Sequence, residues 1–573
     1  MYVAVVPNRH SPPAILLRES FRENGKVHNR TLANLSHWSP DKIEALRQVL
    51  KGESPATPAL ESSFDIVRSL PHGHVAAVLA TLRHLRLDTI LDPEPSRLRE
   101  AALALIAARI LEPSSKLATS RSLRAETCHH TLGEQLQLGT INEDDLYAAM
   151  DWLVSRQSAI ETTLARRHLQ AGTLVLYDLT STYFEDRHCP LAQYGYSRDE
   201  RRSNPQIVCG VLSSTDGCPV AVEIYEGNTG DPKTVTAQVA KLRERFGLER
   251  VILVGDRGML TEKRIEQGLR PQEGLEWITA LRAPQIQKLA AAGLVQLSLF
   301  DERDLVEVRH PDYPGERLIV CRNPLLAVER ERKRGELLAA AEKKLREIGT
   351  AAKRKRQPLR STEKISYLVG KALGRSKVEK YFRWQISPQG LRWERDPERI
   401  GRDAALDGIY VLRTSVAEQC LDNEQTVLAY KRLASVERAF RSLKSVDLHV
   451  RPIYHRASDR VRAHVLLAML AYYVEWHMRQ ALAPVLFDDE QSGEQRNSPV
   501  APARRSPEAR QKARRKRTLD NWPVQSFQDW LKDLATIVQN RIQPRLPSLP
   551  AFTVTTRPTP SQQYALQLLR VRL

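Results

Sequence analysis

Cysteine is scarce in this chain of 573 residues, which has six cysteines and no two of them spaced as Cys-x-x-Cys. This scarcity excludes a disulfide scaffold, argues against a zinc knuckle and favours a reducing compartment. Long apolar runs are also absent, because the longest, Val465–Val474, has ten residues and is too short to cross a bilayer. The first twenty residues lack the pattern of a signal peptide. We therefore expect a cytoplasmic protein with no membrane partner.

Acidic residues are outnumbered by basic ones: 68 Asp and Glu stand against 87 Lys and Arg, for a net charge of +19. Apolar residues make up 42% of the chain, enough to bury sizeable cores, so a wholly disordered chain is excluded. The length corresponds to about four structural units. The basic excess favours a polyanionic partner, and nucleic acid is the commonest polyanion.

Composition and periodicity change along the chain and predict six regions. They are a small β-rich unit (1–50), a helical region (66–170), the first part of an α/β core (171–282), an insertion with a basic helical stretch (283–400), the second part of the core (401–485), and a basic linker with a helical tail (486–573).

The region 171–282 predicts the order β-β-β-α-β-α-β, which is typical of a mixed sheet in an α/β domain. The strand pattern stops after residue 282 and resumes at Asp407–Thr414, so the insertion is expected to leave the sheet between these points. A helix from about Glu424 to Lys444 follows.

Three acidic residues stand at positions that chemistry can use. Asp178 follows the first buried strand of the core, Asp256 follows the fourth, and Glu437 lies on the late helix. Right-handed crossovers would make these two strands neighbours, so the carboxylates could meet. Each residue by itself has a plain alternative, as a helix or turn cap or as an exposed ion pair. Together they predict an oxygen-only site for two Mg²⁺ ions, which suits phosphodiester chemistry.

The late helix has a mixed face. Tyr430, Glu437 and Lys444 are seven residues apart and are predicted to share one face, with Arg441 one turn beyond the glutamate. An adjacent apolar stripe is suited to dock on the sheet and consists of Leu433, Val436, Phe440 and Leu443. An acid flanked by these polar groups suits a metal ligand beside phosphate-binding cations.

Several segments between about 170 and 480 are typical of one family. They are YDLTSTYFE (177–185), YGYSRDERR (194–202), EGNTGDPKT (226–234), LVGDRGM (253–259), DGIYVLRT (407–414), YKRLASVERAFRSLK (430–444), RPIYHR (451–456) and RAHVLLAMLAYYVE (462–475). With them the sequence resembles the DDE transposases of bacterial insertion sequences, specifically the insertion-sequence "four" superfamily.

The resemblance implies an RNase H-like mixed sheet, interrupted by an insertion before the catalytic Glu and preceded by a mainly helical region that binds the ends of the element. It implies that Asp178, Asp256 and Glu437 are the catalytic and metal-binding residues. The family signature Tyr-x₂-Arg-x₃-Glu-x₆-Lys maps to Tyr430, Leu433, Glu437 and Lys444, so leucine replaces the arginine. Arg432 or Arg441 could substitute, and the DNA-binding residues expected here are Tyr430, Arg441 and Lys444.

The resemblance also implies cofactors and partners. The cofactor would be Mg²⁺, two ions, with Mn²⁺ as a substitute. The partners would be double-stranded DNA, as the inverted-repeat ends of the element and as target DNA, and a second copy of the chain in a homodimer on DNA. Nicking, strand transfer by the freed 3′-OH and a hairpin intermediate would follow, on the nucleoid of the cytoplasm.

Other interpretations stay open from the residues. A stand-alone metal-dependent nuclease of the same fold would use the same acids, and a DNA-binding protein with a decayed core would use none. Two basic segments, 328–360 and 501–518, have a net charge of +7 each and favour phosphate contact, the second as an unstructured arm. Irregular spacing argues against a zinc site at His188 and Cys189.

Overall fold

The chain forms two units, one from Met1–Pro71 with Ile537–Arg557 and one from His72–Thr536 with Pro558–Leu573. The computed structural model describes residues 1–9, 11–52, 63–185, 188–201, 203–295, 300, 303–354, 359, 361–387, 390–489, 498–501, 505–545 and 549–573. No helix in this described part combines the length and hydropathy that a membrane span requires.

The strands belong to four sheets. In chain order they are β1 (Tyr2–Val6), β2 (Ala14–Glu23), β3 (Lys26–Asn34), β4 (Phe64–Pro71), β5 (Leu174–Tyr183), β6 (Gln206–Ser213), β7 (Pro219–Glu226), β8 (Val251–Gly255), β9 (Leu275–Ala280), β10 (Leu305–Val308), β11 (Arg317–Arg322), β12 (Phe382–Ser387), β13 (Gly390–Arg395), β14 (Ile409–Thr414), β15 (Val538–Pro544) and β16 (Phe552–Thr555).

The helices surround the largest sheet and fill the region before it. In chain order they are α1 (Pro40–Leu50), α2 (Gly73–His84), α3 (Leu87–Leu91), α4 (Arg97–Leu111), α5 (Lys116–Leu123), α6 (Leu132–Gln135), α7 (Glu143–Ser155), α8 (Gln157–His168), α9 (Asp231–Ala240), α10 (Glu262–Arg264), α11 (Ala283–Ala291), α12 (Pro324–Ala352), α13 (Thr362–Ser376), α14 (Pro397–Ala404), α15 (Asn423–Lys431), α16 (Leu433–Arg441), α17 (Ser458–Leu482), α18 (Pro507–Arg515), α19 (Phe527–Ala535) and α20 (Pro560–Leu568).

The smaller unit is built on antiparallel strands. β1, β2 and β3 form one sheet, and the β2–β3 hairpin turns at Asn24 and Gly25, whose φ values of 50° and 76° suit this residue pair. β15 pairs with β4 and with β16 in a second sheet. The C-terminal region therefore supplies two strands as well as helices, which the prediction of a helical tail missed. Their partner β4 lies more than 450 residues earlier, where no local pattern reveals it.

The larger unit contains the expected mixed sheet, in the order β10-β11-β14-β9-β8-β5-β6-β7. The pairs β5–β8 and β8–β9 are parallel, and the remaining pairs are antiparallel. The apolar helix α17 packs against α7, α4 and β7. The predicted single helix 142–169 is two helices, α7 and α8, which meet at Arg156.

The predicted insertion 283–400 is wrong in its first forty residues, because β10 and β11 belong to the large sheet. β11 pairs with β14 from Arg317↔Thr414 to Arg322↔Ile409. The chain leaves the sheet at Asn323 and returns at Gly408, whose carbonyl accepts a hydrogen bond of 2.9 Å from the Asn323 amide. The inserted part thus connects two adjacent antiparallel strands.

The inserted part has a core of its own, formed by α12, α13, β12 and β13. Trp384 and Trp393 are paired across β12 and β13 and pack against this core, as expected for structural tryptophans. On α12, intrahelical ion pairs engage Arg332, Lys333 and Arg346. Because α12 has seven Lys and Arg against five Glu, its own charge is nearly balanced.

The segment 501–518 is not an unstructured arm where the structure describes it. Ser506 caps α18 by accepting a hydrogen bond of 3.0 Å from the Ala509 amide, and its hydroxyl donates to Asp489 over 2.9 Å. Lys512 donates to the carbonyls of Ala483 and Pro484 over 3.0 and 3.3 Å. These bonds fix α18 on the turn after α17, so composition predicted its charge but not its order.

Candidate active site

Two aspartates meet at the edge of neighbouring parallel strands. β5 and β8 pair from Leu174↔Ile252 to Tyr177↔Gly255, so Asp178 and Asp256 follow in the same register. Every residue of β8 is buried, which explains why its apolar run predicted a central strand. The predicted adjacency of the first and fourth core strands is confirmed.

Glu437 reaches the same place from α16, which packs on β5. Val436 and Phe440 are its buried anchors and leave Glu437 exposed on the other side. A cleft of about 620 Å³ is lined by all three acids and by Tyr430. The structure therefore brings together four of the predicted site residues.

The carboxylates in this cleft lack protein counter-ions. Among the described residues, no Lys, Arg or His forms an ion pair with Asp178, Asp256 or Glu437. Burial, together with the charges of the other two acids, raises the pKa of Asp178 to about 7, against a hydrogen bond of 2.8 Å from the Leu179 amide. Three oxygen-only acids with unbalanced charge fit a hard divalent cation.

Tyr430 is held in its neutral form. Burial and the charges of the three acids raise the pKa of its phenol to about 12, while Arg257 acts in the opposite direction. The hydroxyl is therefore a hydrogen-bond donor at neutral pH.

The loop that presents Asp256 is fixed by its own backbone. The Gly258 amide donates to the Asp256 carboxylate over 3.2 Å, and the amides of Met259 and Leu260 donate to its carbonyl over 3.0 Å. A Cβ at Gly258 would lie 3.4 Å from that carboxylate and 3.8 Å from the carboxylate of Asp231, so the two acids are near each other. Asp231 is paired with Arg198 at 2.7 Å.

Lys444 and Arg441 are not among the residues that line the cleft. Lys444 is partly buried and pairs with Asp199 at 3.2 Å, beside Arg451, which contacts the same acid at 3.0 Å. The predicted continuous helix is interrupted at Arg432 and ends in a π-helical turn, Ser442–Val446. The seven-residue periodicity therefore does not extend to Lys444.

Other residues line the cleft that the sequence did not single out. They are Arg257, Asn323, Tyr410, Lys431, Ala434 and Val500. Lys431 donates to the carbonyls of Val500 and Ala501 over 2.6 and 2.8 Å, which fixes this short segment to the wall. Arg257 follows a predicted ligand directly and could have been found. Asn323 and Val500 carry no local signal.

The family signature has Leu433 where an arginine is expected, and Leu433 does line the cleft. Arg432 is exposed and is not among the lining residues. Arg257, from the loop after β8, is the arginine in the cleft lining. His188 and Cys189 are in neither of the two metal-type side-chain clusters found among the described residues.

Comparison with known proteins agrees with this geometry. A model of the transposase DDE domain matches residues 170–474, more than half of the chain, so the protein belongs to the DDE transposases. A model of the N-terminal domain of IS1634 family transposases matches residues 3–62, which makes it a transposase of a bacterial insertion sequence. No curated protein matches the chain.

One similar solved structure is described as a cryo-EM structure of the piggyBac transposase synaptic complex with hairpin DNA. It is 10% identical, covers 71% of this chain and 72% of its own, and has a TM-score of 0.32. The family membership makes this protein a DNA transposase that binds and cuts DNA, in a family that uses divalent metal ions.

Proposed function

We propose that Asp178, Asp256 and Glu437 hold two Mg²⁺ ions and that the protein nicks the ends of its element and joins each freed 3′-OH to target DNA. The observation that supports this is the cleft itself, where acids from β5, the β8 loop and α16 converge without protein counter-ions. Bound Mg²⁺ would activate the attacking oxygen and stabilise the leaving one.

The chain's own groups prepare this chemistry. Asp178 is partly buried and gives up a proton when it becomes a ligand, because its pKa lies near 7 in the metal-free protein. The turn after Asp256 fixes the second carboxylate. The neutral Tyr430 hydroxyl donates to a phosphate oxygen and so orients the DNA strand in the cleft.

Arg257 takes the role of the family arginine that Leu433 replaces. Its side chain lies in the cleft lining beside Tyr430, where it offers a bidentate contact to a DNA phosphate. Arg441 is exposed outside the lining and contributes to affinity through the DNA backbone.

The test is a nicking assay on a duplex that carries the end of the element. With Mg²⁺, or with Mn²⁺ in its place, Asp178→Asn, Asp256→Asn and Glu437→Gln should each lose at least about a thousandfold in rate, equivalent to about 4 kcal/mol. Binding of the end DNA should change less than about twofold, since Lys and Arg supply the affinity. Glu418→Gln, an exposed acid outside the cleft, is the control. Wild-type cleavage by Glu437→Gln would refute the assignment.

The same assay separates the alternatives. A transposase joins the nicked end to a second duplex, a stand-alone nuclease cuts without joining, and a decayed protein only binds. Arg257→Gln should slow cleavage of bound DNA by about tenfold or more, whereas Arg441→Gln should change affinity and leave the rate on bound DNA unaltered.

The two ends of an element must be processed in concert, which needs two copies of the site. We infer a symmetric homodimer on DNA, with the helical region of α2 to α8 reading the ends. Light scattering with and without end duplex tests this, and a complex that contains a single chain on two ends would exclude it.

A further inference from the structure

Two imidazoles and one thiol meet in the larger unit, apart from the acidic cleft. His168 ends α8, Cys218 directly precedes β7, and His477 lies within α17. One ligand atom from each lies within 4.8 Å of the other two. Three elements that are far apart in sequence therefore direct nitrogen and sulfur donors to one point.

The donors in this cluster are incompletely satisfied. Nε2 of His477 is buried and has no hydrogen-bond partner among the described residues. Cys218 is 1% exposed, and its sulfur is 4.0 Å from the Pro219 carbonyl, at the limit of a weak hydrogen bond. Buried polar atoms normally have partners, so an unpartnered imidazole nitrogen beside a buried thiol calls for a ligand.

The protonation states suit a metal ligand set. Burial lowers the pKa of His168 and His477 to about 4, so both rings are neutral and offer a lone pair. Arg167 contributes to this lowering. The Tyr473 hydroxyl lies 3.0 Å from Nε2 of His168 and 3.3 Å from the Arg167 guanidinium.

We propose that His168, Cys218 and His477 bind one zinc ion, with a water molecule or the Tyr473 hydroxyl as the fourth ligand. Zinc takes imidazole and thiolate donors in tetrahedral sites, whereas the oxygen-only cleft suits Mg²⁺, so the two sites select different metals. On binding, the Cys218 thiol loses its proton to solvent and a sulfur–zinc bond forms.

Ligand bonds of about 2.0–2.3 Å place tetrahedral donors about 3.5 Å apart. The cluster must therefore close by about 1 Å, which side-chain rotation can provide. The site would clip the end of α8 and the start of β7 to α17, and its existence is independent of the proposed Mg²⁺ chemistry.

The second metal-type cluster, Glu112 with His129 and His130, offers a weaker case. Glu112 and His129 are exposed and already pair at 2.6 Å, and Nδ1 of His130 accepts a hydrogen bond of 3.3 Å from the Leu132 amide. It serves as an internal control for zinc binding.

The test measures metal in the full-length protein after exposure to Zn²⁺ and dialysis against a weak chelator. The wild type should retain one zinc per chain. Cys218→Ser and His477→Ala should lose it, whereas Cys209→Ser, which alters another buried cysteine, and His129→Ala should keep it. A wild type without retained zinc, or a Cys218→Ser protein that keeps it, overturns the proposal.

Loading the wild type with Co²⁺ covers the case in which the variants do not fold. A thiolate ligand produces a sulfur-to-cobalt charge-transfer absorption that carboxylates and imidazoles do not. This band should be present in the wild type and in Asp178→Asn, in which the Mg²⁺ site is disabled. Its absence from the wild type overturns the zinc site, whatever the nicking assay shows.

Discussion

The acids of the cleft and the acids buried elsewhere in the same unit are treated in opposite ways. Glu316 is 3% exposed and receives two hydrogen bonds of 2.6 Å from Arg413 and one of 2.7 Å from Arg270. Glu161 is fully buried against Lys241 and Arg245. Asp178, in contrast, accepts a backbone amide and has no cation partner among the described residues.

This difference separates structural from functional carboxylates. A buried charge is tolerated when a protein cation and hydrogen bonds compensate it. Where the chain withholds the cation and converges three acids, the folded state keeps an unbalanced charge that an external cation can satisfy. Counter-ion supply, more than burial, therefore marks the site.

The largest expected effect is on the structural side of the comparison. Glu316→Gln leaves Arg413 and Arg270 without their anion and should lower the free energy of unfolding by about 3–5 kcal/mol. Denaturant unfolding followed by circular dichroism measures this, with the exposed Glu418→Gln as the control. Equal unfolding midpoints for wild type and Glu316→Gln would remove the distinction.

Asp178→Asn should have the opposite sign in metal-free protein. The pKa of Asp178 is raised from 3.8 to about 7, so its contribution to stability is complete below pH 3.8 and is lost as pH rises through about 7. Above that pH the variant should be more stable than the wild type by up to about 4 kcal/mol. Thermal unfolding with chelator at several pH values tests this, and Mg²⁺ should reduce the difference. A variant less stable than the wild type at high pH contradicts it.

Cleavage at limiting Mg²⁺ should depend on pH for the same reason. Below about pH 7 a proton competes for Asp178, so the rate should fall up to tenfold per pH unit. Saturating Mg²⁺ should move the midpoint to lower pH. A profile that ignores the Mg²⁺ concentration would exclude Asp178 as a ligand that titrates.

The smallest effect compares the two basic segments. On α18, Arg510, Arg514 and Arg515 are exposed, and replacing them with Gln should flatten the log–log salt slope of DNA binding by up to about 3, from a value near −5. End and scrambled DNA should be affected alike, because phosphate contacts carry no base readout. The matched changes on α12 are Arg332→Gln, Lys333→Gln and Arg346→Gln, in residues already paired with glutamates. They should alter the slope by less than about 1, and equal effects of the two sets would show that ion pairing on α12 does not matter.

The sequence by itself determined the parts of this protein that depend on local pattern. Buried apolar runs defined β5 and β8, and an acid directly after each run placed Asp178 and Asp256 at their ends. The motifs also carried the family assignment, which the domain match confirms. These features were readable because burial and strand periodicity are encoded within a few neighbouring residues.

Tertiary structure decided which distant segments meet. It added β10 and β11 to the sheet, paired β15 with β4, and diverted Lys444 through a π-helical turn to Asp199. It brought Arg257 and Val500 to the cleft, and His168, Cys218 and His477 to one point. Such partners are chosen by packing and charge compensation over the whole fold, which no window of local sequence contains.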